Sequence, residues 1–252
     1  MEPIPTCTVC WAGVAPMSNK PAKHSELKKQ GKSSAKRMLA GWGSDRSSRP
    51  TIPIKPEKIL IVSEGSKTEP HYFGGFKKII NDRYHGEYVT VEVMGLGQNT
   101  VSLFDSARAI VEDGIGDYTQ VWVVYDKDSF PAENFNAVID LCKTCSDRDV
   151  TYHAAWTNEA FELWYILHFA YVEAALSRGA YVSKLSGYLQ AAGCGKYHKN
   201  RKDMYEILAD KVDIAIANAE RLERVNEGKT PAESNPGTMV HKLVAELLPY
   251  VR

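Results

Sequence analysis

The sequence predicts an α/β fold, a mostly parallel sheet flanked by helices, followed by an α-helical C-terminal extension. Three observations point there. The runs Ile59-Leu-Ile-Val62 and Val121-Trp-Val-Val-Tyr125 are continuously apolar rather than alternating, as strands buried on both faces are. Strand-like and helix-like segments alternate from Lys58 to Trp156 with a strand roughly every 30 residues, the spacing of β-α-β crossovers. Beyond Asn158 the apolar residues recur at helical spacing.

The first strand, Ile59 to Val62, runs into Ser63-Glu64-Gly65. A Gly turn, Thr68 as N-cap and Pro70 in the first turn then open a helix with Tyr72, Phe73, Phe76, Ile79 and Ile80 largely on one face. Tyr88 to Val93 reads as a second strand, with Gly95 and Gly97 marking a turn. Asn99 or Thr100 caps the next helix, which stops near Gly114. The third strand, from Val121, is closed by Asp126 and Asp128, and Pro131 starts a helix whose inner face holds Phe135, Val138, Ile139 and Cys142. Asp149 to Trp156 supplies the fourth strand. An apolar helix then carries Phe161 to Phe169, one or two helices fill 171–195, a long helix covers about 202–226, and Asn235-Pro-Gly-Thr238 caps the last helix.

The chain of 252 residues is 44% hydrophobic and 25% charged, ordinary for a soluble globular protein with a sizeable core. No run of about 18 apolar residues occurs, and no basic start leads into an apolar stretch, so neither a membrane span nor a signal peptide is expected and a cytoplasmic location is. The zero net charge hides an asymmetry. Residues 1–58 hold eleven Lys and Arg against four Asp and Glu, leaving twenty against twenty-seven for the rest. Residues 1–57 therefore read as a basic, Pro-containing, flexible arm suited either to solvent or to tracking phosphates, before an α/β domain at 58–157 and the helical extension at 158–252. Five cysteines make no disulfide framework. Cys7-x-x-Cys10 and Cys142-x-x-Cys145 have zinc-pair spacing, although core packing already explains Cys142.

Chemistry concentrates at the strand ends. In open parallel sheets the carboxyl edge is where ligands bind. Asp126 and Asp128, two apart on an extended backbone, point the same way and can share one hard divalent cation. An Asp-x-Asp after a strand also suits a haloacid-dehalogenase-like phosphatase, a metal-diphosphate site of a glycosyltransferase, or acids that merely cap a helix. Only a joint site with Glu64 uses every acid. There Glu64 is ligand or general acid/base while Asp126 and Asp128 hold Mg2+ or Mn2+, which suits phosphodiester chemistry.

The Glu-Gly end of the first strand with a later Asp-x-Asp resembles the Toprim fold of topoisomerases, primases and overcoming-lysogenization-defect nucleases. Further motifs follow in order. They are Glu64-Gly-Ser-Lys-Thr-Glu69-Pro-x-Tyr72-Phe73, Asp126-Lys-Asp128, Asn158-x-x-Phe161-Glu162-Leu-Trp164-x-x-x-His168-Phe169, Tyr197-x-Lys199-Asn200 and Asn235-Pro-x-Thr238, and together they resemble the RloB family. One departure is Thr157-Asn158-Glu159-Ala160, where the family usually has Ser-Asn-Pro before Phe-Glu. The resemblance implies a Toprim-like, Mg2+-dependent nuclease of bacterial anti-phage defence, acting on nucleic acid, with RNA or tRNA favoured over DNA. It also implies an AAA-type ATPase partner, since this chain carries no Walker A pattern. A degenerate Toprim-like module that binds and regulates a partner is the non-enzymatic alternative.

The resemblance adds Glu162 as a further ligand or acid and His168 as a phosphate contact or proton carrier, against a plain reading of both as satisfied core groups. They lie six residues apart, about 120° off a common helical face. Lys67 sits at a predicted helix N-terminus, where phosphate is attracted. Tyr197, Lys199, Asn200, Arg201 and Lys202 form a basic-aromatic cluster suited to stacking and phosphate contact. Lys127 is expected on the opposite strand face, in solvent or a salt bridge.

Overall fold

A computed structural model of the chain describes residues 56–114 and 116–252. The predicted arm, with Cys7 and Cys10, lies outside them. The order is β1 (Glu57–Ser63), α1 (Thr68–Tyr84), β2 (Val89–Gly95), α2 (Thr100–Glu112), β3 (Gln120–Asp126), α3 (Ala132–Cys145), β4 (Thr151–Asn158), α4 (Glu162–Leu167), α5 (Arg178–Ala191), α6 (Met204–Leu208), α7 (Val212–Val225), β5 (Gly237–Thr238) and α8 (Val240–Val251).

The sheet runs β2-β1-β3-β4-β5, parallel from β2 to β4, with β5 antiparallel to β4. Its centre shows why the apolar runs do not alternate. Ile59, Ile61, Trp122 and Val124 face α1, α4 and the C-terminal helices, whereas Leu60, Val62, Val121, Val123 and Tyr125 face α2 and α3. Each face is thus covered, and successive side chains enter different cores. At ~1.5–3 kcal/mol per fully buried large apolar side chain, burial on both faces makes this central pair of strands strongly stabilising. Arg83 of α1 donates to the carbonyls of Tyr250, Val251 and Arg252, joining α1 to the carbonyl end of α8.

Several expectations change. Thr68 is the first residue of α1 rather than its cap; Lys67 precedes it without a side-chain cap bond, and the Thr68 hydroxyl donates to the Lys199 carbonyl at 3.4 Å. The long helix predicted at 202–226 is α6, a 3-10 turn at Ala209–Lys211 and α7. Met204, Tyr205, Leu208, Val212, Ala215, Ala219 and Leu222 are all buried through this change of pitch, so the apolar period runs on unbroken and hides it. The apolar run at 161–169 forms a helix of only six residues, and 171–195 holds one helix, α5.

Asn235 to Thr238 does more than cap the last helix, since Gly237 and Thr238 pair with Asn158 and Thr157 as a fifth strand. The Thr238 hydroxyl still accepts from the Val240 N–H at 3.2 Å and also bonds the Thr157 hydroxyl at 3.0 Å. Lys127 is half-buried and makes no salt bridge among the described residues; its ammonium donates to the Phe130 carbonyl.

Candidate functional site

The carboxyl ends of β1 and β3 and the starts of α1 and α4 bring four acids round one cavity of about 690 Å³, with Asp128 at its side. Glu64 extends the β1–β3 ladder by one bond, donating its N–H to the Val124 carbonyl at 3.0 Å. Asp126 ends β3, and its Oδ2 accepts the Phe161 N–H at 3.0 Å. Glu162, the first residue of α4, accepts the Tyr197 hydroxyl at 3.1 Å. The fourth is Glu69 in the first turn of α1, almost fully buried.

Glycine makes this crowding possible. A Cβ on Gly65 would lie 2.1 Å from Glu69 Oε2, and one on Gly95 would lie 2.6 Å from the Gly65 carbonyl. Gly95 therefore serves close backbone approach at the end of β2 and not only a turn. Asp128 departs from the expected geometry. It lies beyond the end of β3 with φ of 37°, its N–H donating to the Glu159 carbonyl at 3.1 Å, so the two aspartates do not share an extended backbone. What joins them is Arg178, whose Nη1 is 3.0 Å from Asp128 Oδ2 and whose Nη2 is 4.0 Å from Asp126 Oδ2.

Burial raises the Glu64 carboxyl to about 7, the Asp128 charge pushing the same way while the Asp126 N–H and Arg178 oppose it. Burial likewise raises Glu69 to about 7, reinforced by the charges of Glu162 and Glu64. Asp126 is pushed well above the carboxylate range by burial and then by Glu69 and Glu162. Among the described residues Glu64 Oε2, Glu69 Oε2 and Asp126 Oδ1 are buried without a hydrogen-bond partner. Orphaned, crowded carboxylate oxygens are the donors that a proton or a hard cation satisfies. In chemistry the cluster therefore fits Mg2+ or Mn2+. In arrangement, no three His, Cys, Asp or Glu side chains among the described residues are already placed to hold an ion.

The other predicted residues divide. Lys67 and Lys199 are exposed and line the cavity with Asn200. Tyr197 is 7% exposed and offers no face for stacking, because its ring is packed and its hydroxyl is spent on Glu162. Arg201 turns away, forked onto Asp203 at 2.7 and 2.9 Å with a third bond to the Lys196 carbonyl. His168 is not brought to the acids. Its Nδ1 is 3.0 Å from the Trp164 carbonyl, which can only accept, so the proton is on Nδ1. Burial holds its pKa down at about 4, so it stays neutral between the rings of Trp164 and Tyr72 and does not carry protons for this cavity.

Two site residues escape the sequence reading. Glu69 stood inside a quoted motif but was given no role of its own. Arg178 belonged to no motif, and its one signal was a cation at the first position of a helix, where the macrodipole opposes it.

No match was found among curated proteins or among solved structures. The family model described as RloB-like protein matches residues 59–247, from the first buried residue of β1 into α8 and across every element that lines the cavity. The chain belongs to the RloB-like protein family.

Proposed function

We propose that the protein is a metal-dependent nuclease of anti-phage defence that hydrolyses phosphodiester bonds, with RNA or tRNA favoured over DNA. One observation carries the reading: the carboxyl edge of a parallel sheet gathers Glu64, Glu69 and Asp126 with buried, unpartnered oxygens, beside Asp128 and Glu162. Such a set is costly to bury unless it works on a cation. Asp126 and Asp128 would hold Mg2+ or Mn2+, with Glu69 and Glu162 as further oxygen donors and Glu64 left free as general acid/base. The ion would supply Lewis-acid stabilisation of charge on a phosphoryl oxygen.

The chain's own groups do the rest. Lys67, Lys199 and the N-terminal N–H groups of α1 offer positive potential to the nucleic-acid backbone. Glu64, with its carboxyl near 7, is poised to take a proton from water or give one to the leaving oxygen. Tyr197 holds Glu162 in place. The defence role and an AAA-type ATPase partner rest on the family resemblance, and a cytoplasmic setting accords with the described helices, none of which is long and apolar enough to cross a membrane.

The test is degradation of bulk tRNA, other RNA and plasmid DNA by the purified chain with Mg2+ or Mn2+, comparing wild type with Glu64→Gln and Asp126→Asn. Metal-dependent cutting abolished by both substitutions is expected. No cutting with any substrate, alone or with a neighbouring ATPase, would sink the nuclease reading in favour of a regulatory module.

A further inference from the structure

Among the described residues Arg178 is the basic residue that ion-pairs with these acids, and its position is energetically odd. It is the first residue of α5, directly after the Ser177 cap, where the helix dipole repels a cation. It is held there by acids from another part of the chain, one guanidinium nitrogen facing Asp128 at 3.0 Å and the other facing Asp126 at 4.0 Å. Its Nε is buried with no hydrogen-bond partner, so the group is not fixed by a full set of protein bonds. Asp126, in turn, keeps one oxygen under the Phe161 N–H and the other orphaned. A guanidinium that reaches both aspartates stands where the two carboxylates would share an ion.

We infer that Arg178 is an internal counter-cation that competes with divalent metal for Asp126 and Asp128, so that metal loading requires its side chain to leave them. The inference rests on the metal-dependent reading above. Arg178 is a positioning residue in this account: it acts on the reaction through the acids, lowering metal affinity and keeping the acid pair neutralised until an ion displaces it. α5 itself is anchored independently of this contact by Tyr181, Leu185 and Leu189, all fully buried.

The experiment is calorimetric titration of the full chain with MnCl2 at fixed ionic strength, for wild type, Arg178→Gln, Arg178→Lys and Asp126→Asn, with thermal melts in the presence and absence of Mn2+. Removing one unit charge 3–4 Å from the ligands should tighten Mn2+ binding by about tenfold in Arg178→Gln. Arg178→Lys, which keeps the charge, should stay near wild type. Mn2+ should also raise the melting temperature more in Arg178→Gln than in wild type.

Arg178→Gln binding no tighter than wild type, while Asp126→Asn loses binding, overturns the inference and leaves the metal reading standing. Arg178→Lys binding as tightly as Arg178→Gln overturns it too, because charge would not be the cause. Absence of Mn2+ binding in wild type and Arg178→Gln alike removes both the inference and the metal reading.

Discussion

Two cavities of similar size lie against the sheet, one at the carboxyl ends of β1 and β3 and one along β4, and they differ in what their walls leave unfinished. The carboxyl-edge cavity holds about 690 Å³; the flank cavity, between α3, β4 and the end of α7, holds about 810 Å³. Among the described residues four that line the first, Glu64, Glu69, Asp126 and Arg178, carry buried polar atoms without partners, and none that lines the second does. In the flank cavity the acid Glu223 is answered by Lys242 at 2.9 Å and His241 at 3.1 Å. Although burial opposes it, those partners hold its pKa below the usual range. Among the described residues only the smaller cavity leaves lining polar atoms unpartnered, so unsatisfied charge rather than volume marks the proposed site.

The sharpest way to break this comparison is to remove the charge. Glu64→Gln should lower metal-dependent cutting by about 10²–10⁴-fold, the range for loss of a general acid or base. Asp126→Asn should do at least as much through lost ion binding. A single-turnover assay with circular dichroism as a folding control reads both, and retained activity in either would remove the acids from the mechanism.

A smaller effect is expected one bond away from the acids. Tyr197→Phe removes the hydroxyl that donates to Glu162 but keeps the packed ring. Loss of such an orienting bond lowers metal affinity or activity by roughly 10–100-fold, at a stability cost of about 1 kcal/mol. Activity unchanged in Tyr197→Phe would mean that Glu162 needs no orienting. If instead Tyr197 stacked on a base, Phe would keep the function and Ala would lose it.

Proton binding separates the cavities by sign. Glu64 and Glu69 have folded pKa values near 7, above an ordinary value of 4.5, so between those pH values the folded chain binds more protons than the unfolded one. Their contribution to stability is then present at low pH and is lost as pH rises through 7. Glu223 behaves oppositely, its contribution present at neutral pH and lost as pH falls. Urea unfolding of the metal-free chain at pH 5 and pH 7.5 should show Glu64→Gln gaining on wild type at the higher pH, and saturating Mg2+ should shrink the gain. An equal offset at both pH values would mean that Glu64 titrates normally.

The strands were legible because burial on both faces writes itself as unbroken apolar runs, and β1 and β3 carry the acids that end them. The site was legible only as far as those ends. The strand ends named Glu64, Asp126 and Asp128 and the resemblance added Glu162, whereas Tyr197 and Arg201 were expected to face nucleic acid because a basic-aromatic stretch looks the same whether its groups face solvent or are spent inside. Tyr197 donates to Glu162 and Arg201 forks onto Asp203, and neither bond is visible in the order of residues. His168 misled for the complementary reason. A histidine inside a motif is as well explained by a bond to the carbonyl four residues back, here Trp164, as by catalysis. Arg178 went unseen because its partners lie about fifty residues upstream, and only the fold brings them together.

The smallest expected effect tests the comparison from the quiet side. Arg224 and Lys229 line the flank cavity; among the described residues Lys229 is bonded to Asn226 at 3.0 Å, and Arg224 forms no ion pair. Replacing either by Ala leaves no buried partner stranded, so stability should move by no more than about 0.5 kcal/mol. Cutting of short substrates should stay within about twofold, since neither residue lies near the acids and exposed cations act weakly at such range under physiological salt. A tenfold loss from Lys229→Ala with the fold intact would place substrate in the flank cavity as well, and unsatisfied charge would then no longer suffice to say where this protein works.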